Sequence, residues 1–175
     1  MDRYASGDRA AFVEVYDAVV PRLFPYLRRQ TRSAELAEDV LQQTLMQMHR
    51  GCSTFVPGSA VIPWAFAIAR RLLIDERRRE ERNVLSGASE IGAHAGADVP
   101  VNAESEGFVA AGEVARLLQS VLERLPSSQR EAFELMRFDG LSHEEAAHVL
   151  GISVSALKFR AHRASVALRA AVRGA

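Results

Sequence analysis

One cysteine, Cys52, supplies all the thiol this 175-residue chain has. No internal disulfide can form and a lone thiolate makes no zinc site of the usual kind, so the fold must rest on burial, and a reducing compartment suits it. Nowhere do apolar residues run long enough to span a bilayer, and the opening MDRYASGDRAAF has no basic-then-apolar leader pattern. A cytoplasmic protein without membrane insertion is expected. Net charge is missing too: 22 Lys and Arg balance 22 Asp and Glu, so affinity for a polyanion has to come from local patches. No stretch alternates convincingly like a strand, and without strands there is no glycine-rich loop of the strand-to-helix kind that cradles phosphate. The five histidines, His49, His94, His143, His148 and His162, are scattered among different elements. His143 and His148 share a short helix, but at a spacing that does not put both on one face. These absences argue against an enzyme, a metal site or a cofactor, and leave an all-α protein long enough to bury a core.

What charge there is falls unevenly. Residues 1–83 hold 13 basic and 11 acidic side chains, 84–112 none and four, and 113–175 nine and seven. The middle stretch has no apolar period and is rich in Gly, Ala and Ser, so it reads as a flexible linker between two small helical domains, 1–83 and 113–175.

The stretch from Leu125 to Arg169 limits the chain most sharply. Ser142 followed by Glu145 is a capping box that starts a short helix carrying Ala146, Ala147, Val149 and Leu150 inward. Gly151 permits the positive φ of a tight turn, and Ile152 beside it can plug that turn. Ser153 or Ser155 can cap the helix that follows, where Val154, Leu157, Ala161, Ala164 and Leu168 recur at helical spacing. This is a helix-turn-helix. Its second helix carries Lys158, Phe159, His162, Arg163 and Arg169 on the other face, and from Lys158 onward there are five Lys or Arg and no acid. An amphipathic pair with a solvated basic edge would look similar, but basic residues on the second helix rather than the first favour DNA binding. Upstream, Val114, Leu117, Leu118, Val121, Leu122 and Leu125 form an apolar stripe that Pro126 ends, and Ser127 or Ser128 is expected to cap the next helix.

At the other end, Asp8 is a plausible cap for a helix bearing Phe12, Val15, Tyr16, Val19 and Val20, which Pro21 and Pro25 are expected to break, kink or restart. The helix 34–50 has one apolar stripe of Ala37, Val40, Leu41, Thr44, Leu45 and Met48. Glu35, Glu38, Asp39, Gln42, Gln43 and Gln47 make its other face acidic and amide-rich, either a solvated face or a dock for a basic or polar partner. Between Gly51 and Pro63 the period fails and a loop is expected. From Trp64 a helix resumes with six arginines (Arg70, Arg71, Arg77, Arg78, Arg79, Arg82) against four acids. Part of that charge can pair at helical spacing, and the remainder leaves the helix basic.

LPSSQREAFELMRFDGLSHEEAAHVLGISVSALKFRAHRA resembles the fourth conserved region of the extracytoplasmic-function group of bacterial RNA polymerase sigma factors. GDRAAFVEVYDAVV, AEDVLQQTL and PWAFAIARRLLIDERRR resemble that family's second region. The resemblance implies that Glu38, Asp39, Gln42 and Gln43 bind core RNA polymerase. It implies that Ser155, Lys158, Phe159, His162 and Arg163 read the upstream promoter element. Capture of the opened downstream element is implied for the loop and the basic helix after it, through Ser53, Thr54, Ser59, Trp64, Arg70, Arg71, Arg77 and Arg78. For Trp64 a second role, anchoring the loop ends in the core, fits its place at the start of an apolar stripe. An anti-sigma partner is implied by the resemblance as well.

A rival reading is a stand-alone helix-turn-helix regulator whose N-terminal helices dimerise or sense a ligand. It has no need of the acidic-amide face, the loop and the arginine helix in that order. Limited proteolysis of the full chain is expected to cut first within 84–112. Digestion of both ends ahead of that segment would overturn the division into two domains.

Overall fold

The computed structural model describes residues 1–85 and 116–173, and every regular element among them is helical. The described residues fall into two compact units, 1–85 in the first and 116–173 in the second. The linker expected at 84–112 lies outside them except for Val84 and Leu85, which still belong to a helix.

The first unit contains α1 (Asp2–Ala5), α2 (Ala11–Thr31), α3 (Ala34–Arg50) and α4 (Val61–Leu85), with a single 3₁₀ turn at Cys52–Thr54. The three long helices pack on one another pairwise. Each contributes a stripe at intervals of three and four: Val15, Val19, Leu23, Tyr26 and Leu27 from α2; Ala37, Val40, Thr44 and Met48 from α3; Ala65, Phe66, Ala69 and Leu73 from α4. Tyr26 and Phe66 are fully buried at the centre, ring centroids 5.1 Å apart and tilted by 46°. Thr44 is the buried polar member, and its hydroxyl donates to the Val40 carbonyl at 2.7 Å, so the core holds no orphan there.

The two prolines do not break the first helix: α2 runs unbroken through Pro21 and Pro25. Proline removes the N–H that would bond four residues back, which frees the carbonyls of Asp17 and Pro21. Asp17, Pro21 and Pro25 are all exposed, so the missing bonds lie on the wet side, where water can serve the carbonyls. A cost of roughly 3 kcal/mol per proline is offset by the five large side chains that the opposite stripe buries. The start of α2 also differs from expectation. Regular helix begins at Ala11, and Asp8 acts just ahead of it, its carboxylate accepting from the Ala10 N–H at 3.1 Å. Ser33 caps α3 by accepting from the Leu36 N–H at 3.3 Å.

The loop is shorter than its sequence suggests. α4 starts at Val61, so Pro63 is the third residue of a helix rather than the end of a loop. Helical N–H groups in a first turn have no partner, so proline there forfeits nothing.

In the second unit, residues 116–124 form α5, followed by α6 (Ser127–Arg137), α7 (His143–Leu150) and α8 (Val154–Arg173). Of the stripe expected before Pro126, Val114 lies outside the described residues, and Leu122 is the buried member. Neither Ser127 nor Ser128 caps α6. The Pro126 carbonyl starts it by accepting from the Gln129 and Arg130 N–H groups at 2.9 and 3.1 Å.

The helix-turn-helix is built as expected. Both halves of the capping box are made: Glu145 N–H to Ser142 Oγ at 3.1 Å, and Ser142 N–H to Glu145 Oε2 at 2.8 Å. Gly151 sits at φ 65°, ψ 36°. Its N–H reaches the His148 carbonyl and that of Ile152 the Ala147 carbonyl, each at 3.1 Å, the paired bonds of a Schellman turn. Ser153 then caps α8 through the Ala156 N–H at 3.2 Å. Leu157, Ala161, Ala164 and Leu168 of α8 close on Ala132 and Leu135 of α6 and on the buried face of α7.

A Cβ at residue 151 would meet nothing within 4 Å, so substitution there is opposed by backbone strain alone. Gly151→Ala is expected to cost about 1–2 kcal/mol, and Ser142→Ala about 1 kcal/mol, in urea unfolding of the second unit. A neutral Gly151→Ala would mean that the turn relaxes out of the left-handed region.

Candidate nucleic-acid interfaces

Burial of Leu157, Ala161, Ala164 and Leu168 decides what α8 shows to solvent. Ser155, Lys158, Phe159, His162 and Arg163 are all exposed, as the sequence placed them. Phe159 is 65% exposed, a large apolar ring that no part of the unit covers. Arg163, one turn on, places its guanidinium carbon 5.9 Å from that ring's centroid. This is a weak cation–π contact that keeps the cation beside an apolar surface. An aromatic edge suited to a thymine methyl and a planar donor fork suited to guanine thus stand together on a helix of the right diameter for a major groove. Arg169 is also exposed and bonds its own helix through Nε to the Ser165 carbonyl at 3.2 Å. Across a shallow cleft from Lys158, His162 and Arg169 stand Arg137 of α6 and His143 of α7. Sequence reasoning missed these two, since no periodic signal ties the end of one helix to the middle of another.

In the first unit, the buried stripe of α3 turns Glu38, Asp39, Gln42 and Gln43 outward, and all four are exposed. Glu35 and Gln47 extend the face, so acids and amides dominate it, and Arg50 in the last turn is its exposed arginine. Phosphates would be repelled by it; a basic protein surface would not.

The loop between α3 and α4 is held at both ends. Phe55 is buried and packs on the half-buried Trp64 with centroids 5.0 Å apart. Trp64 therefore spends much of its ring on anchoring the loop. Gly51 lies so close to the Gln47 carbonyl and the Trp64 ring that an added Cβ would sit 3.1 Å and 3.4 Å from them. Ser53 and Thr54 in the 3₁₀ turn before Phe55, and Ser59 after it, are exposed, with the Thr54 hydroxyl donating to the Gly51 carbonyl at 2.8 Å. Gly58 turns the tip at φ 81°.

On α4, Arg71 and Arg78 are exposed seven residues apart, and so are on one face two turns, about 10 Å, apart. Arg70 is half-buried. Arg77 reaches back to α2, where Gln30 accepts through its side chain at 3.2 Å and its carbonyl at 3.4 Å. That arginine ties helices together as well as adding charge, a role its sequence context did not suggest.

Residues 15–83 match the family model described as Sigma-70 region 2, and residues 115–168 that described as Sigma-70, region 4. The chain is 31% identical over 169 residues to the RNA polymerase sigma factor CarQ of Myxococcus xanthus, covering 97% of this chain and 93% of that one. It is 32% identical over 157 residues to the ECF RNA polymerase sigma factor EcfG of Rhodopseudomonas palustris, covering 87% and 80%. Among solved structures it resembles the sigma factor RpoE of Bartonella quintana, determined with the anti-sigma factor NepR. That likeness has a TM-score of 0.76 at 26% identity and covers 93% of this chain and 96% of that one.

If α8 reads base edges through Arg163, then Arg163→Ala should relax preference for one base pair by roughly 1–3 kcal/mol. Arg169→Ala should instead weaken every duplex alike. Competition binding against single-base variants of the preferred duplex separates the two, and unchanged discrimination in Arg163→Ala would overturn this orientation of the helix.

Proposed function

The chain belongs to the sigma-70 family of RNA polymerase sigma factors, in its extracytoplasmic-function group, and from that premise we propose how its exposed faces divide the work. As a sigma factor it binds core RNA polymerase and directs promoter-specific transcription initiation, with its fourth region serving the upstream promoter element and its second the downstream one. Residues 1–83 act as region 2 and 113–175 as region 4, with 84–112 between them.

In this reading Ser155, Lys158, Phe159, His162 and Arg163 enter the major groove of the upstream element. Glu38, Asp39, Gln42 and Gln43 hold polymerase. Ser53, Thr54 and Ser59 contact an unstacked base of the opened strand, while Arg70, Arg71, Arg77 and Arg78 lower the cost of bringing its phosphates close. Trp64 serves chiefly by fixing the loop that presents them. A duplex shows paired, stacked bases that such a loop cannot read, whereas strand opening offers a base it can enclose. An anti-sigma factor as partner is supported by the likeness to RpoE, whose structure holds one. Work on polymerase places the protein in the cytoplasm, and among the described residues no helix is long and apolar enough to cross a membrane.

The observation that carries this division is one of charge. The exposed face of α3 is acidic and amide-rich, whereas those of α4 and α8 are basic, so one chain offers separate surfaces to a protein and to nucleic acid. A stand-alone regulator would not require the first of these. Because Asp39 is exposed, Asp39→Arg should leave the fold intact. It should lower affinity for core polymerase at least about tenfold, the loss expected when one member of a charged interface pair is reversed. Duplex binding by the free protein should be unchanged; equal loss of both activities would reject the assignment of this face.

A further inference from the structure

Four residues make a helix too short to persist alone, since nucleation costs more than one turn of hydrogen bonds returns. α1, Asp2–Ala5, is such a helix, and it lies ahead of the stretch, 15–83, that matches region 2. It must be held by contacts outside itself, and these reach three different elements. Arg3 spans Asp8 at 2.7 Å and Glu14 at 2.6 Å, pinning α1 to the start of α2. The Arg3 hydrogen bond holds the Asp8 carboxyl below the usual carboxylate range. Tyr4 is buried, packs on Phe12 with centroids 5.1 Å apart, and pairs its hydroxyl with Nδ1 of His49 in the last turn of α3. Asp2 turns the other way. Its carboxylate accepts the Gly58 N–H with both oxygens, at 3.3 and 3.2 Å, across 56 residues of sequence.

Gly58 is the tip of the loop assigned above to the opened strand, and its φ of 81° puts it in a conformation that favours glycine. The loop ends are clamped by Phe55 and Trp64, but the five residues Val56 to Ala60 are all exposed. The bond to Asp2 is the side-chain tie that reaches the tip. Buried Tyr4 sets where Asp2 stands, because the two lie in the same helical turn, and Arg3 keeps that turn from rotating on α2. A carboxylate held in place fixes a backbone N–H better than water does, since its own side-chain entropy is already spent.

We propose that α1 is a strap that sets the position of loop 51–60, with Asp2 and Tyr4 acting as positioning residues for capture of the opened promoter strand. The inference rests on the assignment of that loop to single-stranded DNA. Asp2 touches no DNA in it, and an acid at that place would be a poor phosphate contact. Its part is to hold the loop tip in one conformation before the strand arrives, so that less ordering remains to be done on binding.

The test uses the full chain, free and in polymerase holoenzyme. Asp2→Ala removes the acceptor at an exposed position, and Asp2→Asn keeps an acceptor oxygen while removing the charge. Hydrogen exchange of the Gly58 amide is followed in the free protein, and strand opening on a linear promoter is followed with a single-strand-specific reagent. Asp2→Ala is expected to speed Gly58 exchange about tenfold and to reduce opening by a similar factor, with core polymerase affinity and the urea midpoint unchanged. Asp2→Asn should recover part of both, which a general loss of stability would not allow. Unchanged Gly58 exchange in Asp2→Ala would overturn the strap, and faster exchange with normal opening would overturn its positioning role. A third variant, residues 56–60 replaced by a Gly-Ser segment, separates the premise from the proposal. Normal opening there would remove the loop's assignment, and the proposal with it, whereas the Gly58 exchange would still report whether the tie exists.

Discussion

The contact between Tyr26 and Phe66 is where α2 and α4 meet, and the outward faces of the first unit follow from it. Two fully buried rings 5.1 Å apart fix which side of each helix is inside. Once α3 lays Ala37, Val40, Thr44 and Met48 against the same core, the outward positions of Glu38, Asp39, Gln42 and Gln43 are no longer free to vary. A helix has one buried stripe, so core packing and partner selection are two readings of a single rotation about its axis. In the second unit Leu157 has the corresponding part: its burial aims Lys158, Phe159, His162 and Arg163 outward together.

Much of this was legible in the sequence wherever the signal was local. The capping box at Ser142, the left-handed glycine at 151 and the apolar period of α8 each act within a turn or two, and each is present as expected. Where local preference competes with tertiary packing, packing decides. Pro21 and Pro25 read as points where the helix would break, kink or restart, and α2 passes through both as one helix because the lost bonds face water and the opposite stripe is buried. Pro63 read as a loop residue for a similar reason, since proline in the first turn of a helix looks no different in sequence from proline just before it. Contacts between distant residues left no trace in periodicity. Tyr4 and His49 are separated by 45 positions and Asp2 and Gly58 by 56, and nothing in the spacing of either segment marks them as neighbours. The same holds for Arg137 and His143 beside α8, and for the bond from Arg77 to Gln30.

A formal net charge of zero conceals a chain sorted by helix face. The exposed side of α3 is acidic, while α4 and α8 are basic. Separation by face lets one short chain meet a protein and a polyanion without either partner competing for the other's surface. It also accounts for the composition of the loop between α3 and α4. Placed between a surface that repels phosphate and one that attracts it, the loop exposes hydroxyls and backbone groups rather than cations.

The exposed cations of α8, Lys158, Arg163, Arg169 and Arg173, are few, and that has a thermodynamic consequence. A protein that neutralises on the order of three phosphates displaces about as many condensed counterions from DNA, and its affinity changes by only about forty-fold between 50 and 200 mM salt. A helix surface with so few cations contributes little hold on arbitrary sequence, so whatever preference it has among duplexes must come from base edges rather than from phosphates.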